Sequence, residues 1–339
     1  MSKRAIIWIV IGGSLVLIGA MIFAGVMTMF NWDFKKLSTV QYVTNDYDIT
    51  EEYKSILIDS DTADIVLVAS TDGKTTVNCY ERDKEKHFVT VVDGVLNIEL
   101  TDTRKWYEHI GIGFGAPKIK VSLPAGEYSS LFVKEHTGEV EISSDFSFES
   151  IDITATTGNV ENFASASGIM RIKTSTGHIL VERVSAGAID LSVTTGNITA
   201  SKIDCDGGFK VEVDTGKTNL SDIRCESLIS EGDTGDINLK NVVASGKFSI
   251  ERSTGDVKLD GSDAGQLFIK TDTGDVKLDG ADAGDIFIKT HTGDVTGTLL
   301  TEKVFITKTD TGRINVPNSI TGGRCEIETD TGDIKISIK

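Results

Sequence analysis

The chain has 339 residues, with 34 Lys plus Arg against 51 Asp plus Glu, giving a formal net charge of −17. That balance excludes a nucleic-acid binder, which needs a basic patch to meet phosphates, and the acidity itself favours solubility. The histidines at 87, 109, 136, 178 and 291 show no metal-ligand spacing, so neither a metal nor a cofactor is expected.

In chain order, residues 1–4 carry Lys3 and Arg4, and Ala5 to Phe30 is a stretch without a charge. At ~1.5 Å per residue that stretch crosses a hydrocarbon core of ~30 Å with some tilt. A cleaved signal peptide would have a shorter apolar region and small residues at −3 and −1, whereas Ile22-Phe23-Ala24 has the wrong residue at −3. Residues 5–30 are therefore expected to be a retained transmembrane helix, with 1–4 in the cytoplasm and the rest outside. Lys35 and Lys36 oppose this orientation; a long folded region, however, translocates largely regardless of its charges.

Residues 31–50 are expected to be a juxtamembrane linker. From 51 to 125 the chain alternates strand-like runs, with a hairpin signal at Val92-Asp93-Gly94-Val95. These runs are expected to form irregular coils that cap the N-terminal end. The glycine-rich insert Trp106 to Pro117 is expected to pack as a flap over the first coil, with a recognition loop as the alternative.

Residues 126–339 are organised by a ruler. A Thr-Gly pair recurs in register, with glycines at 138, 158, 177, 196, 216, 235, 255, 274, 293, 312 and 332, spaced by 19 or 20 residues. A fixed period in that range marks a stacked repeat. Seven and five residues before each Gly, and two and four after it, the side chains are mostly apolar and often β-branched. Offsets of two mean strands with one buried face, so each unit holds two short strands hinged where Gly supplies a positive φ. One such pair cannot bury its apolar face, but eleven copies make a continuous core. The expected fold is all-β, a parallel β-solenoid (β-helix), right-handed as parallel crossovers are, with one N-terminal transmembrane helix. Ten rises of about 4.8 Å give a rod of roughly 48 Å. Small residues recur nine after the Gly, and Glu302 breaks that row, so a local irregularity is expected there. Cys205 and Cys225 share this row on successive coils. They are read as buried thiols filling a small corner, with a disulfide as the alternative.

The segment KIKVSLPAGEYSSLFVKEHTGEVEI (118–142), followed by TTGN, STGH and DTGD turns, resembles the bacterial β-strand-repeat domain of unknown function known as the "putative adhesin" domain. That domain is found on membrane-anchored cell-envelope stress proteins of Gram-positive bacteria. The resemblance spans roughly residues 50 to 339. It implies the fold and an envelope location, and it carries over no catalytic residue.

Three motifs have bland readings. Asp-Thr-Gly at Asp214, Asp233, Asp272, Asp310 and Asp330 matches the aspartic-protease triplet, but those carboxylates lie along an open edge, one per coil, rather than sharing a proton in a cleft. Asp236, Asp256, Asp275, Asp294 and Asp333 just after the Gly are read as a solvated turn face, with Ca²⁺ as the alternative. Repeated Thr-x-Thr suggests an ice-binding face, yet parity points these threonines inward, and Glu135, Val193, Val213 and Arg252 interrupt the row.

The function expected is a non-catalytic, membrane-anchored extracytoplasmic adhesin-like binding or scaffolding protein. The alternative is a polysaccharide lyase or hydrolase, whose site would have to sit in 101–117, because coils this short leave no other loops. The candidate contact surface is a row of outward side chains on three successive units. Phe268, Phe287 and Ile306 stand six before the Gly, and Lys270, Lys289 and Lys308 four before it. The partners expected are the membrane and a cell-wall polymer or envelope protein, with self-association through the solenoid surface or the open C-terminal coil.

Overall fold

The computed structural model describes residues 2–34, 38, 40–106, 113 and 115–339. Its one long helix, α1, runs from Lys3 to Met29. Ser2 caps it, its hydroxyl accepting the Ala5 N–H at 3.3 Å. The helix is long and apolar enough to cross a membrane, and its most apolar window is not buried against protein. Asn31 and Trp32 at φ 52° and 57° turn the chain back, so that Trp32 and Phe34 each lie 6.5 Å from the Phe23 ring. Aromatic rings at a helix end suit the membrane–water interface.

Among the described residues, nine strands form the N-terminal part: β1 (Tyr42–Ile49), β2 (Ser55–Ser60), β3 (Asp64–Ala69), β4 (Thr75–Arg82), β5 (Glu85–Val92), β6 (Val95–Asp102), β7 (Lys118–Leu123), β8 (Gly126–Thr137) and β9 (Val140–Ile142). The linker expected to reach residue 50 is already sheet from Tyr42, because β1 pairs antiparallel with β4 through eight positions. Its alternating Tyr42, Thr44, Asp46 and Asp48 are too polar to mark a strand by pattern alone. The strand pair β2 and β3 forms an inner coil, flanked by β6 and β7 on one side and by β8 and β9 on the other, all parallel. Beyond β6 and β7 the pairing turns antiparallel through β5, β4 and β1. Antiparallel strands close the end of the stack, as a solenoid's first face requires.

From β8 as far as the Gly293 coil, each coil stacks parallel on the one before it, and aligned positions pair directly, as Leu228 with Phe248 and Leu267 with Ile286. The inward residues form one core along the whole rod. Gly177, Gly196 and Gly216 show what the Thr-Gly ruler measures. Their φ values are 145°, 147° and 144°, and a Cβ added to Gly216 would stand 1.7 Å from the Gly196 carbonyl oxygen. A second corner follows six residues after the Gly, where Arg183, Lys202, Asp222, Asn241, Gly261 and Gly280 all take φ between 53° and 59°. This left-handed corner bends the second strand. Asn and Gly announce it in sequence, while Arg183 and Lys202 hide it.

At the far end the order of coils departs from the order of sequence. The Gly293 coil pairs not with the next one but with the last, Ile286 with Cys325 and Val295 with Ile334. The Gly312 coil then stacks outside it, Phe305 against Cys325 and Ile314 against Ile334. The skip begins at the irregularity expected at Glu302. Lys303 is buried there, and its ammonium meets Asp282 at 2.8 Å. Gly322 and Gly323 bring the chain back, lying so close to Glu302 and Gly284 that a Cβ would meet their carbonyl oxygens at 1.8 and 1.7 Å. The rod therefore ends on residues 303–315, not on the last residues of the chain.

Candidate functional site

Strand parity sets which side chains leave the rod. Leu267 and Ile286 are wholly buried, while Phe268 and Phe287 between them face outward and Ile306 is 49 % exposed. The two expected rows are not contiguous, however. Because the last coil inserts, Glu326 stands between Phe287 and Ile306, and Glu328 stands between Lys289 and Lys308. The lysine row reads Glu251, Lys270, Lys289, Glu328, Lys308 along the rod. Lys289 and Lys308 both bridge to Glu328, at 3.1 and 3.2 Å, and together they hold its carboxyl below the usual range. What reads in sequence as a cationic ladder is therefore interrupted: Lys289 and Lys308 share one carboxylate, and Lys270 stands between Glu251 and Lys289.

The aromatic part is stacked along the rod. The Phe268 and Phe287 centroids are 4.8 Å apart with planes 11° off parallel, the spacing of neighbouring strands. Lys247 covers the open face of Phe268 at 5.0 Å, and Arg324 approaches Phe287 at 5.5 Å. Each ring thus uses one face on its neighbour and offers the other to a cation, which leaves ring edges towards solvent. A shallow groove of about 310 Å³ runs here, with Lys247, Glu251, Lys270, Lys289, Glu326 and Glu328 around the two rings.

The other repeated motifs resolve into hydrogen-bond ladders. In the aspartate row, Oδ1 of Asp256, Asp275 and Asp294 accepts the backbone N–H of the residue stacked on it, Asp275, Asp294 and Asp333, at 2.9, 2.8 and 2.7 Å. Asn159, His178 and Asn197 extend the same ladder in earlier coils. The first Thr of Thr-x-Thr is buried at Thr174, Thr271, Thr290 and Thr329. Thr329 and Thr309 donate to the corner glycine carbonyls of Gly293 and Gly332, at 3.2 and 3.0 Å. The four cysteines, Cys205 and Cys225 among them, are free and buried.

A second constellation, which the repeat pattern gave no reason to seek, lies under the cap. His87 on β5 places Nδ1 2.7 Å from Glu81 Oε2 and Nε2 3.1 Å from Ser60 Oγ. Asn45 on β1 donates to Glu81 Oε1 at 2.6 Å, and the Tyr47 hydroxyl donates to the His87 carbonyl at 2.9 Å. Glu135 on β8 stands on the other side of Ser60, and burial pushes its carboxyl up to about 7. Ser60, His87 and Glu81 have the order of a nucleophile, a base and its orienting carboxylate, but Ser60 is only 2 % exposed. In that position the chain of groups joins cap to coil. A clue in sequence is His87 within an alternating strand, facing inward with Glu85 and Val89 by parity.

The Trp106–Pro117 insert falls partly on residues 107–112 and 114, outside the described residues. Its described end packs on β1 rather than on a coil: Tyr42 donates to the Gly115 carbonyl at 3.1 Å, and a Cβ on Gly115 would meet the Tyr42 ring at 2.7 Å.

No curated protein matches the chain. Among solved structures, a "putative adhesin" from Parabacteroides distasonis ATCC 8503 is similar at 13% identity and a TM-score of 0.38, with 86% of this chain and 98% of that one covered. A "putative lipid binding protein" from the same organism has 14% identity, a TM-score of 0.36 and coverages of 87% and 97%. A "putative adhesin" from Parabacteroides merdae ATCC 43184 has 10% identity, a TM-score of 0.37 and coverages of 88% and 96%. A family profile described as Toastrack DUF4097 matches residues 53–227 and again 221–339, so the protein, whose Thr-Gly coils fill most of both matches, belongs to the Toastrack DUF4097 family.

Proposed function

We propose that the protein is a membrane-anchored, extracytoplasmic binding module of the bacterial envelope that carries out no catalysis and touches its ligand through the Phe268–Phe287 strip. The observation that carries this reading is the strip itself: an outward apolar pair, flanked by Lys247, Lys270 and Lys289, on a molecule of net charge −17. Exposed apolar patches with a polar rim tend to mark interfaces. Because the ring faces are taken, a sugar does not stack on them, and the chemistry left is ring edge plus ammonium. That combination suits an anionic envelope polymer such as teichoic acid, with Glu251 and Glu328 limiting the length of polymer engaged.

The test is sedimentation of the full chain, in detergent, with purified peptidoglycan and with teichoic acid. Replacing both Phe268 and Phe287 with Ser is expected to weaken teichoic acid binding by about 10-fold or more, on the scale of a central aromatic contact. Replacing Lys270 and Lys289 with Gln is expected to flatten its salt dependence. Unchanged binding in both variants would remove the strip from the reading, and soluble fragments released from either polymer would replace a binder with a glycan-active enzyme. Orientation has its own measurement: protease added to intact protoplasts should digest the solenoid, and protection until lysis would place it in the cytoplasm.

A further inference from the structure

The cap holds a set of ligand-forming side chains that the repeat does not use. Cys79 and Glu81 stand two apart on β4, so both enter one face, and His87 returns to that face on β5 after the turn at Asp83 and Lys84. The Cys79 thiol, a Glu81 carboxylate oxygen and a His87 ring nitrogen lie within 4.8 Å of one another. The three residues are 0, 1 and 3 % exposed. We propose that Cys79, Glu81 and His87 form a binding site for a divalent cation of the Zn²⁺ type, buried between the cap and the first coil.

The donor set carries the choice of ion. Sulfur, imidazole nitrogen and carboxylate oxygen together suit Zn²⁺, whereas Ca²⁺ and Mg²⁺ take oxygen ligands. The groups behind the ligands are in place as well. Asn45 fixes Glu81 through Oε1, the oxygen not facing His87. Ser60 holds His87 through Nε2, which leaves Nδ1 as the ligating nitrogen. Partners of this kind orient metal ligands and set their basicity. The Cys79 thiol makes no hydrogen bond among the described residues, so its sulfur is not committed elsewhere.

Charge and distance are consistent with this assignment. Glu81 is a buried carboxylate with His87 as the one basic group on it among the described residues. A thiolate, a carboxylate and a neutral imidazole around a dication make the site neutral, which removes the cost of a buried net charge. Ligands at about 2.0 to 2.3 Å from a tetrahedral ion stand roughly 3.3 to 3.7 Å apart. His87 Nδ1 and Glu81 Oε2, now at 2.7 Å, therefore separate by about 0.6 Å when the ion enters. Glu81 Oε2 keeps the His87 backbone N–H, which donates to it at 2.7 Å. On binding, the Cys79 thiol proton leaves to solvent, and the ring proton moves from Nδ1 to Nε2, where Ser60 Oγ accepts it. The fourth position falls to a water.

The experiment uses the full chain in detergent, stripped with EDTA, desalted and titrated with Zn²⁺ in a calorimeter and with Co²⁺ in a spectrophotometer. One Zn²⁺ per chain is expected, along with a thiolate-to-Co²⁺ charge-transfer band. The band should vanish in Cys79→Ser and persist in Cys325→Ser. Asn45→Ala, which leaves all three ligands in place, should weaken Zn²⁺ affinity by about 10-fold. Circular dichroism of each stripped variant shows that it is folded. If Cys79→Ser does not fold, the parent's Co²⁺ band and the Asn45→Ala shift still decide. A stripped parent that takes up no Zn²⁺ overturns the proposal. So does uptake without a thiolate band, or uptake unchanged in His87→Gln, either of which would assign the ion to the exposed aspartates.

Discussion

Gly216→Ala is expected to destabilise the rod by about 4 kcal/mol or more, beyond what ordinary point substitutions cost. The added Cβ would stand 1.7 Å from the Gly196 carbonyl oxygen and 2.6 Å from its carbon, at φ 144°. Both atoms are backbone, so no side chain can swing aside. Nor can the coils part, because the Gly196 N–H donates to Thr215 and the Gly216 N–H to Thr234, at 2.9 and 2.8 Å. The loss is local before it is global, since each coil touches only its neighbours. Limited proteolysis should then cut near residue 216 and leave two resistant fragments, at a temperature where the parent is intact. Gly73→Ala is the control. It also has positive φ, at 73°, but nothing lies within 4 Å of the added atom, so it should cost only about 1 kcal/mol. If the two variants melt and digest alike, stacking of the glycine corners is not what limits stability.

The same close approach explains why so much of the fold can be read from the chain. Only Gly fits a corner whose neighbour lies at van der Waals distance, and coils must be equal in length to stack. The 19- and 20-residue rhythm and its inward residues are therefore consequences of one geometric demand. The identity of neighbours has no such source. Nothing in Phe287 or Ile306 says that Glu326 comes between them, because the stacking order at the end of the rod is decided by Lys303, buried on Asp282, and by the Gly322-Gly323 return. Coils of one design are interchangeable in pattern, so a repeat specifies parity without specifying adjacency. The candidate strip suffers for that reason: its outward direction was legible, while its charge was not. The buried cap cluster was hidden for the opposite reason. Ser60, Cys79, Glu81, His87 and Glu135 come from four strands with no common period, and only the return of β6 and β7 to the outside of β2 and β3 brings them together.

Glu135 should make stability fall as pH rises, and Glu135→Gln should abolish that dependence. Glu135 occupies an inward position filled by apolar Ala155 and Val193 or by Thr174 on neighbouring coils, and it is 1 % exposed. Its Oε1 accepts the Thr137 N–H at 3.1 Å, and Oε2 has no hydrogen-bond partner among the described residues. Burial dominates, with Asp61 adding in the same direction, and raises the carboxyl from 4.5 to about 7 against the opposing pull of Ser60 and the backbone N–H groups of Thr137 and Ala63. A raised pKa means that the folded state holds the proton more tightly than the unfolded one. The stabilisation is thus complete below about pH 4.5 and is lost as pH climbs through 7. At about 1.4 kcal/mol per unit, the loss by pH 8.5 amounts to roughly 3 kcal/mol. Gln keeps the acceptor for Thr137 and has no proton to lose. Parent and variant should then melt together at pH 4.5 and separate by about 5 to 10 °C at pH 8.5, the variant higher. Because the rest of the cap is the same in both proteins, contributions from outside position 135 largely cancel in the difference. A gap that stays constant from pH 4.5 to 8.5 would mean that Glu135 is already ionised in the folded rod, held by a cation or water that offsets its burial.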